Sequence, residues 1–229
     1  MKPLKERLSL IASMVTKGRS VCDVGTDHGY LPAFLYLSGV SDRITATDIR
    51  QKPLCNAKEN LARLGAHGVR LVLCDGLAGV GRDQADNVII AGMGGEVISG
   101  IIERTPWIRD ADINLILQPM TAAGELRRYL ADNGFKVVRE QAVADGKKIY
   151  SVMKVKYAGE RYGLPDVQER IGILSPDTPP ARLYIEKQIK ICQKALMQMG
   201  EQLVETEEYK KILCLKQKLT EILEKENGT

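Results

Sequence analysis

The feature that most restricts how this 229-residue chain can fold is the alternation of short apolar runs with helical patterns over its first two thirds. Strand-like runs span 20–24, 43–48, 70–73, 87–91 and 113–118, and a final pair spans 136–144 and 147–156. Helical patterns fall between them, for instance over 52–64, 95–103 and 122–133, the last stopped by Gly134. Strands that alternate with helices build a parallel sheet flanked by helices. The final pair is joined by Asp145-Gly146, a strong hairpin signal. The predicted class is therefore α/β, with a mostly parallel sheet closed by a C-terminal antiparallel hairpin.

The first run leads into Ser20-Val-Cys-Asp-Val-Gly-Thr-Asp-His-Gly-Tyr-Leu-Pro32, read as a strand turning through a glycine loop into a helix. Such a turn presents backbone N–H groups at the carboxyl edge of the sheet, where open α/β folds bind nucleotide-like ligands. A nicotinamide fingerprint needs G-x-G-x-x-G, but Asp27 and Tyr30 stand where its second and third glycines belong. No phosphate-loop lysine follows either. The loop is acidic, and it suits a cationic or hydroxyl-rich ligand better than a pyrophosphate.

Asp23 and Gly25 end the first strand, Asp48 ends the second and is followed by Ile49, and Asp75-Gly76 follows the third. A strand-end Asp by itself commonly caps a helix. Three in succession point to a nucleoside: Asp48 can accept both ribose hydroxyls, and Asp75 can accept from an exocyclic amine. The fourth strand ends in Ala91-Gly92-Met93-Gly94-Gly95, where close backbone approach at the reaction centre and a plain flexible turn are both open readings. The predicted ligand-binding set is Asp23, Gly25, Asp48, Ile49, Asp75, Gly76 and Gly92, with Gly92 and Met93 at the reaction centre. Gln118, at the end of the fifth strand, is a candidate contact to a base edge or ligand.

An apolar content of 44% with 27% charged residues is that of a globular protein, and no run is long enough to span a bilayer. Residues 1–15 read as an amphipathic helix rather than a signal peptide, with Leu4, Leu8, Ile11, Ala12 and Val15 on one face. The five cysteines are scattered, without a C-x-x-C pair, and only two histidines are present; reduced thiols, a cytoplasmic location and no metal are expected. Of the net charge of +4, residues 1–156 carry +5 (22 basic, 17 acidic), an excess compatible with nucleic acid.

After residue 156 the pattern changes. Residues 157–180 are rich in Gly and Pro and read as a linker or irregular wrap. Beyond them Ile185, Ile189, Cys192, Leu196, Met199 and Leu203, then Ile212, Leu215, Leu219 and Ile222, repeat at steps of four and three. Two antiparallel helices forming a coiled-coil hairpin are expected, and one long dimerising helix is the alternative. Two domains follow, 1–156 and 157–229, in a chain expected to be monomeric. Lys187, Lys190 and Lys194 form a stripe opposite the apolar seam, either a phosphate grip or a solvated face.

Asp23-Val-Gly-Thr-Asp-His-Gly-Tyr-Leu-Pro32, Asp75-Gly-Leu77, Ile90-Ala-Gly-Met-Gly-Gly95 and Leu117-Gln-Pro119, in this order, resemble the TrmK family of bacterial tRNA (adenine-22-N1)-methyltransferases. The resemblance covers residues 1–156 closely and the tail in type only. It implies a Rossmann-like class I methyltransferase sheet with a helical coiled-coil tail, S-adenosyl-L-methionine as cofactor and tRNA as partner. The Asn/Asp-Pro-Pro-aromatic motif of many amino-methyltransferases is absent from the fourth strand end. Adenine N1 has a lone pair and no proton to lose, so positioning can carry most of the catalysis, with a carboxylate to meet the charge developing on the base. Asp27 is the candidate, with His28 beside it in either a substrate or a structural role. Arg7, on the polar face of the first helix, is either a tRNA contact or plain surface charge. A methyltransferase with another substrate, and a cofactor-binding protein without turnover, are the competing functions.

Overall fold

A computed structural model describes residues 4–224. Residues 1–3 and 225–229, at the outer ends of the first and last predicted helices, lie outside the described residues. Helix α1 (Glu6–Met14) precedes β1 (Val21–Val24), α2 (Tyr30–Leu37), β2 (Ile44–Asp48), α3 (Gln51–Leu64) and β3 (Val69–Leu73). Then come β4 (Asn87–Gly94), α4 (Gly95–Glu103), β5 (Asn114–Thr121), α5 (Ala123–Asp132), β6 (Phe135–Asp145) and β7 (Lys148–Tyr157). Three helices follow: α6 (Asp166–Ile171), α7 (Pro179–Met199) and α8 (Glu207–Glu224).

One seven-stranded sheet has the order β3-β2-β1-β4-β5-β7-β6. All pairings are parallel except β5 with β7 and β7 with β6. The order reverses between β1 and β4, and the loops after these two strands diverge to leave a crevice above their carboxyl ends. β1 and β2 are buried along their whole length, because helices cover both faces, and the polar residues of β2, Thr45, Thr47 and Asp48, are buried with its apolar ones. One core layer joins Val24, Ile90, Ile98, Ile102, Leu117 and Phe135 beneath α4 and α5. The other joins Ile11 and Met14 of α1 to Leu35, Ile89, Ile116 and Val152 on the opposite face. Burying an aliphatic side chain of this kind stabilises the fold by about 1.5–3 kcal/mol.

The segment 157–180 is more ordered than a linker. It contains α6 and is held by Arg127 of α5, whose buried guanidinium donates to Glu140 Oε1 (2.6 Å), the carbonyl oxygens of Glu169 (2.9 Å) and Arg170 (3.2 Å), and the Tyr184 hydroxyl (3.4 Å). Glu140 Oε2 in turn accepts from the Ile173 N–H at 3.1 Å. A buried charge this well surrounded by donors and acceptors resists movement, since displacing either partner strands the other. The tail itself is a two-helix hairpin: α7 ends at Gly200, and α8 packs back on it through Ile185, Cys192, Leu215 and Leu219. The same apolar cluster includes Ala142 of β6 and Ile149 of β7, so the hairpin's seam is shared with the end of the sheet.

Candidate active site

At the end of β1 the Gly25 and Thr26 N–H groups both donate to the Thr47 carbonyl of β2, at 2.8 and 2.9 Å. This turns the chain sharply toward α2. Gly25 is left-handed (φ 74°), and a Cβ there would run into Met93 Cε. Asp27 is also left-handed (φ 53°), a conformation that Asp tolerates better than most residues. Its N–H reaches Asp48 Oδ2 at 3.4 Å, while Asp48 Oδ1 accepts from the Arg50 N–H at 2.9 Å. The loop and the β2 carboxylate thus brace one another.

Two adjoining cavities lie over this edge. The larger, about 490 Å³, is lined by Gly25, Asp48, Ile49, Asp75, Gly76, Gly92 and Met93, with Val97 and Ile101 of α4. Every residue of the predicted ligand set except Asp23 is therefore brought to one groove. Ile49 is 63% exposed and Val97 54%, two apolar side chains presented to a cavity with Asp48 at its edge. That combination suits a flat base with a hydroxylated sugar. Asp75 pairs with Arg104 at 3.5 Å. Sequence reasoning does not reach Thr26, Val97 or Ile101; Val97 lies in the first turn of α4, and Ile101 lies one turn further on, on the same side.

The smaller cavity, about 240 Å³, shares Gly25, Asp27 and Gly92 with the first and adds Arg7, Asp23, Thr26, His28 and Tyr30. Asp23 is buried, and burial pushes its carboxyl up to about 6; the Thr26 hydroxyl opposes that shift and the Asp48 charge adds to it. Thr26 Oγ1 is buried and makes no hydrogen bond of good geometry. A buried acid beside an unsatisfied hydroxyl is a site suited to a cationic donor. Asp27 and His28 sit at the rim, with Asp27 Oδ2 3.5 Å from His28 Nε2 and the Asp27 side chain 65% exposed. The His28 ring lies 5.8 Å from that of Tyr30, an exposed aromatic whose sequence signal was only that it broke a glycine pattern.

Gln118 and Arg7 hold one another at the wall of the smaller cavity. Gln118 is fully buried: its Oε1 accepts from Arg7 Nη1 (2.6 Å) and the Gly92 N–H (3.2 Å), and its Nε2 donates to the Pro119 carbonyl (2.8 Å). Both ends of the amide are engaged within the protein. Arg7 is not a free surface charge, because Gln118 and Asp145 (3.7 Å) fix its guanidinium at the cavity wall, 5.9 Å above the Tyr150 ring. Lys187, Lys190 and Lys194 lie on α7 and line neither cavity. Lys187 borders a separate groove between the end of β5 and α7, with Met120, Tyr150 and Arg170. Among the described residues no group of three or more His, Cys, Asp or Glu is placed to hold a metal ion, and no helix is long and apolar enough to cross a membrane.

Residues 4–153 match the methyltransferase domain family. Bacillus subtilis tRNA (adenine(22)-N(1))-methyltransferase is 31% identical over 159 residues, which is 69% of this chain and 66% of that enzyme. The match thus spans just under two thirds of the curated relative. The structure of Streptococcus pneumoniae Sp1610, a candidate tRNA (m1A22) methyltransferase, superposes with a TM-score of 0.84 at 31% identity, covering 96% of this chain and all of that one. The same protein in complex with S-adenosyl-L-methionine superposes at 0.77, covering 95% and 98%. The chain belongs to the methyltransferase domain family, and within it to the TrmK family.

Proposed function

We propose that this protein is an S-adenosyl-L-methionine-dependent methyltransferase that methylates N1 of adenine 22 in tRNA. The observation that carries the reading is the pair of joined cavities at the β1/β4 crevice, one shaped for a nucleoside and one holding a buried acid beside an unsatisfied hydroxyl. Family membership supplies the substrate class. In this reading Asp48 accepts the ribose hydroxyls, Asp75 accepts the adenine amine, and Ile49, Val97 and Ile101 enclose the base. Gly76, left-handed at φ 57°, turns the chain under it. Asp23 and Thr26 receive the ammonium of the amino-acid portion. The Arg7 guanidinium, fixed across the same small cavity, complements its carboxylate, so the tRNA contact expected of Arg7 becomes indirect.

S-adenosyl-L-methionine supplies an electrophilic sulfonium methyl when bound. The chain's own part is to orient the target base and to meet its charge. Adenine N1 carries an in-plane lone pair, so no general base is needed, and holding it in line at about 3–3.5 Å can contribute several kcal/mol. N1 acquires positive charge on methylation, and the exposed Asp27 carboxylate stands where it can stabilise that charge. His28 and Tyr30 offer rings on which the base can stack. Gly92 lines both cavities and Met93 the larger one, and the absence of a side chain at Gly92 leaves the approach clear. N1 lies on the pairing edge, so the adenine must leave its stack to react.

The division into 1–156 and 157–229, the coiled-coil character of the tail, a monomeric state and a cytoplasmic location belong to this proposal as well. The α7–α8 seam supports the second of these and the tRNA substrate the last. Lys187, Lys190 and Lys194 are assigned to tRNA phosphates on their charge and their place on α7 alone. The test is incubation of the protein with S-adenosyl-L-methionine and an unmodified tRNA transcript, followed by nucleoside analysis. We expect 1-methyladenosine from the natural transcript and none when adenine 22 is replaced by guanosine. Methylation of both transcripts alike, or of neither, would defeat the proposal.

A further inference from the structure

The antiparallel end of the sheet carries an arrangement of charge that the chemistry at the β1/β4 crevice does not use. In the β6–β7 register Lys136 lies directly opposite Lys156, and Arg139 directly opposite Lys154. Positions three apart on one strand ordinarily face opposite sides. Here an irregularity between Val137 and Arg139 inserts one extra residue, and Arg139 joins Lys136 on the same face. Packing identifies that face. Val152, two residues from Lys154 on β7, belongs to the core beneath α1, whereas Val155, Phe135 and Val137 pack on the opposite side with α5. Lys154 also donates to Thr16 Oγ1, just beyond α1, at 3.0 Å.

Four cations therefore share the α1 side of the hairpin, in two directly opposed like-charge pairs. Like charges facing one another across a ladder are destabilising. None of the four has a carboxylate within ion-pair distance among the described residues. Burial and the neighbouring Lys156 and Arg139 charges push the Lys154 amine below its ordinary range, as such crowding requires. Lysines on an edge strand discourage edge-to-edge pairing, which would account for β6. It does not account for Lys154 and Lys156, because β7 lies between β5 and β6. α1 runs from Arg7 at the smaller cavity down to this patch, about 11 Å along its axis from Arg7 to Met14 at 1.5 Å per residue.

We propose that Lys136, Arg139, Lys154 and Lys156 form a docking surface for the phosphodiester backbone of the RNA substrate, on the α1 side of the sheet and toward its amino edge, at the far end of α1 from the site. Polyanion binding is the circumstance in which unpaired, mutually repelling cations are relieved together, and counterion release then favours association. The proposal rests on the tRNA reading above, and it identifies where the backbone is held.

The experiment compares the full-length protein with a variant carrying Lys136→Gln, Arg139→Gln, Lys154→Gln and Lys156→Gln. Binding of an unmodified tRNA transcript is followed by fluorescence anisotropy across a salt series, with methyl transfer measured in parallel. We expect tRNA affinity to fall at least tenfold at about 0.1 M salt. The slope of log K against log salt should shrink by about 3, at about 0.7–0.9 for each phosphate that the variant no longer neutralises. KM for tRNA should rise while kcat at saturating tRNA and S-adenosylhomocysteine affinity stay unchanged. The melting temperature should hold or rise, because two opposed like-charge pairs are gone, so a lost fold cannot imitate the result. Unchanged affinity and salt slope would overturn the proposal, as would a variant that keeps its tRNA affinity but loses binding to phosphatidylserine vesicles. A wild-type protein that transfers no methyl to tRNA defeats the enzymatic reading instead, and that arm is read without the variant.

Discussion

Replacing Asp23 by Asn isolates the electrostatic core of the site. The carboxyl is buried at the end of β1 and held at about 6 against an ordinary 3.8, chiefly because burial penalises its charge. Asp48 adds repulsion and the Thr26 hydroxyl offsets part of it. At 1.36 kcal/mol per pH unit the difference corresponds to about 3 kcal/mol. The sign follows from proton counting: between about pH 4 and 6 the folded protein holds the proton and the unfolded chain does not. Stability from this group therefore falls as pH rises through that window, and the whole cost is present above about pH 6. The ligand-free Asp23→Asn variant should match wild type below about pH 4 and exceed it by as much as about 3 kcal/mol at pH 7.5. For a chain of this size that is about 6–12 °C in melting temperature. Cofactor affinity should move the other way. An ammonium ligand needs the ionised carboxylate, so wild-type affinity for S-adenosylhomocysteine should be flat above about pH 6 and weaken about tenfold per unit below it. The variant should bind weakly, with no such bend. Urea denaturation at a series of pH values and titration calorimetry measure the two effects. A stability difference independent of pH, or a variant that binds S-adenosylhomocysteine like wild type, would refute the reasoning.

Asp27→Ala should reduce methyl transfer by two orders of magnitude or more while S-adenosylhomocysteine affinity stays within a few-fold, measured by single-turnover kinetics and calorimetry; lost cofactor affinity would move Asp27 into the cofactor site. Arg7→Ala should weaken S-adenosylhomocysteine at least tenfold yet leave 5′-methylthioadenosine, which lacks the amino-acid portion, unaffected; equal losses for both ligands would exclude a carboxylate contact. Arg127→Met strands Glu140 without its partner and should cost about 3–5 kcal/mol in urea denaturation, with part recovered when Glu140→Leu is added. A loss under about 1 kcal/mol would show that water reaches the pair.

Much of this molecule was legible from local chemistry. The seven strands fall where the apolar runs lie, with their ends displaced by a few residues, and a tight β6–β7 turn forms where it is expected, at Gly146-Lys147, one residue on from Asp145-Gly146. The strand-end residues Asp48, Ile49, Asp75, Gly76 and Gly92 share one groove because a parallel sheet delivers every strand end to the same edge. Such placements follow from period and topology, which a sequence carries directly.

Other features depend on residues far apart in the chain. Gln118, a candidate contact to a base edge or ligand, is buried beneath Arg7, 111 positions earlier, which folds over it from α1. Segment 157–180 read as a linker or irregular wrap from its glycines and prolines; Arg127 and Glu140 order it with hydrogen bonds that no local pattern announces. The cation face on β6 and β7 is likewise invisible from spacing, since one extra residue near Val138 shifts the alternation and gathers charges that a regular strand would divide. The sequence by itself determined the strands, the helices and the acids at the strand ends, because those obey short-range periodicity. Tertiary structure decided which of these groups keep their charge, lose their access or meet a partner, because burial and long-range contact set those properties.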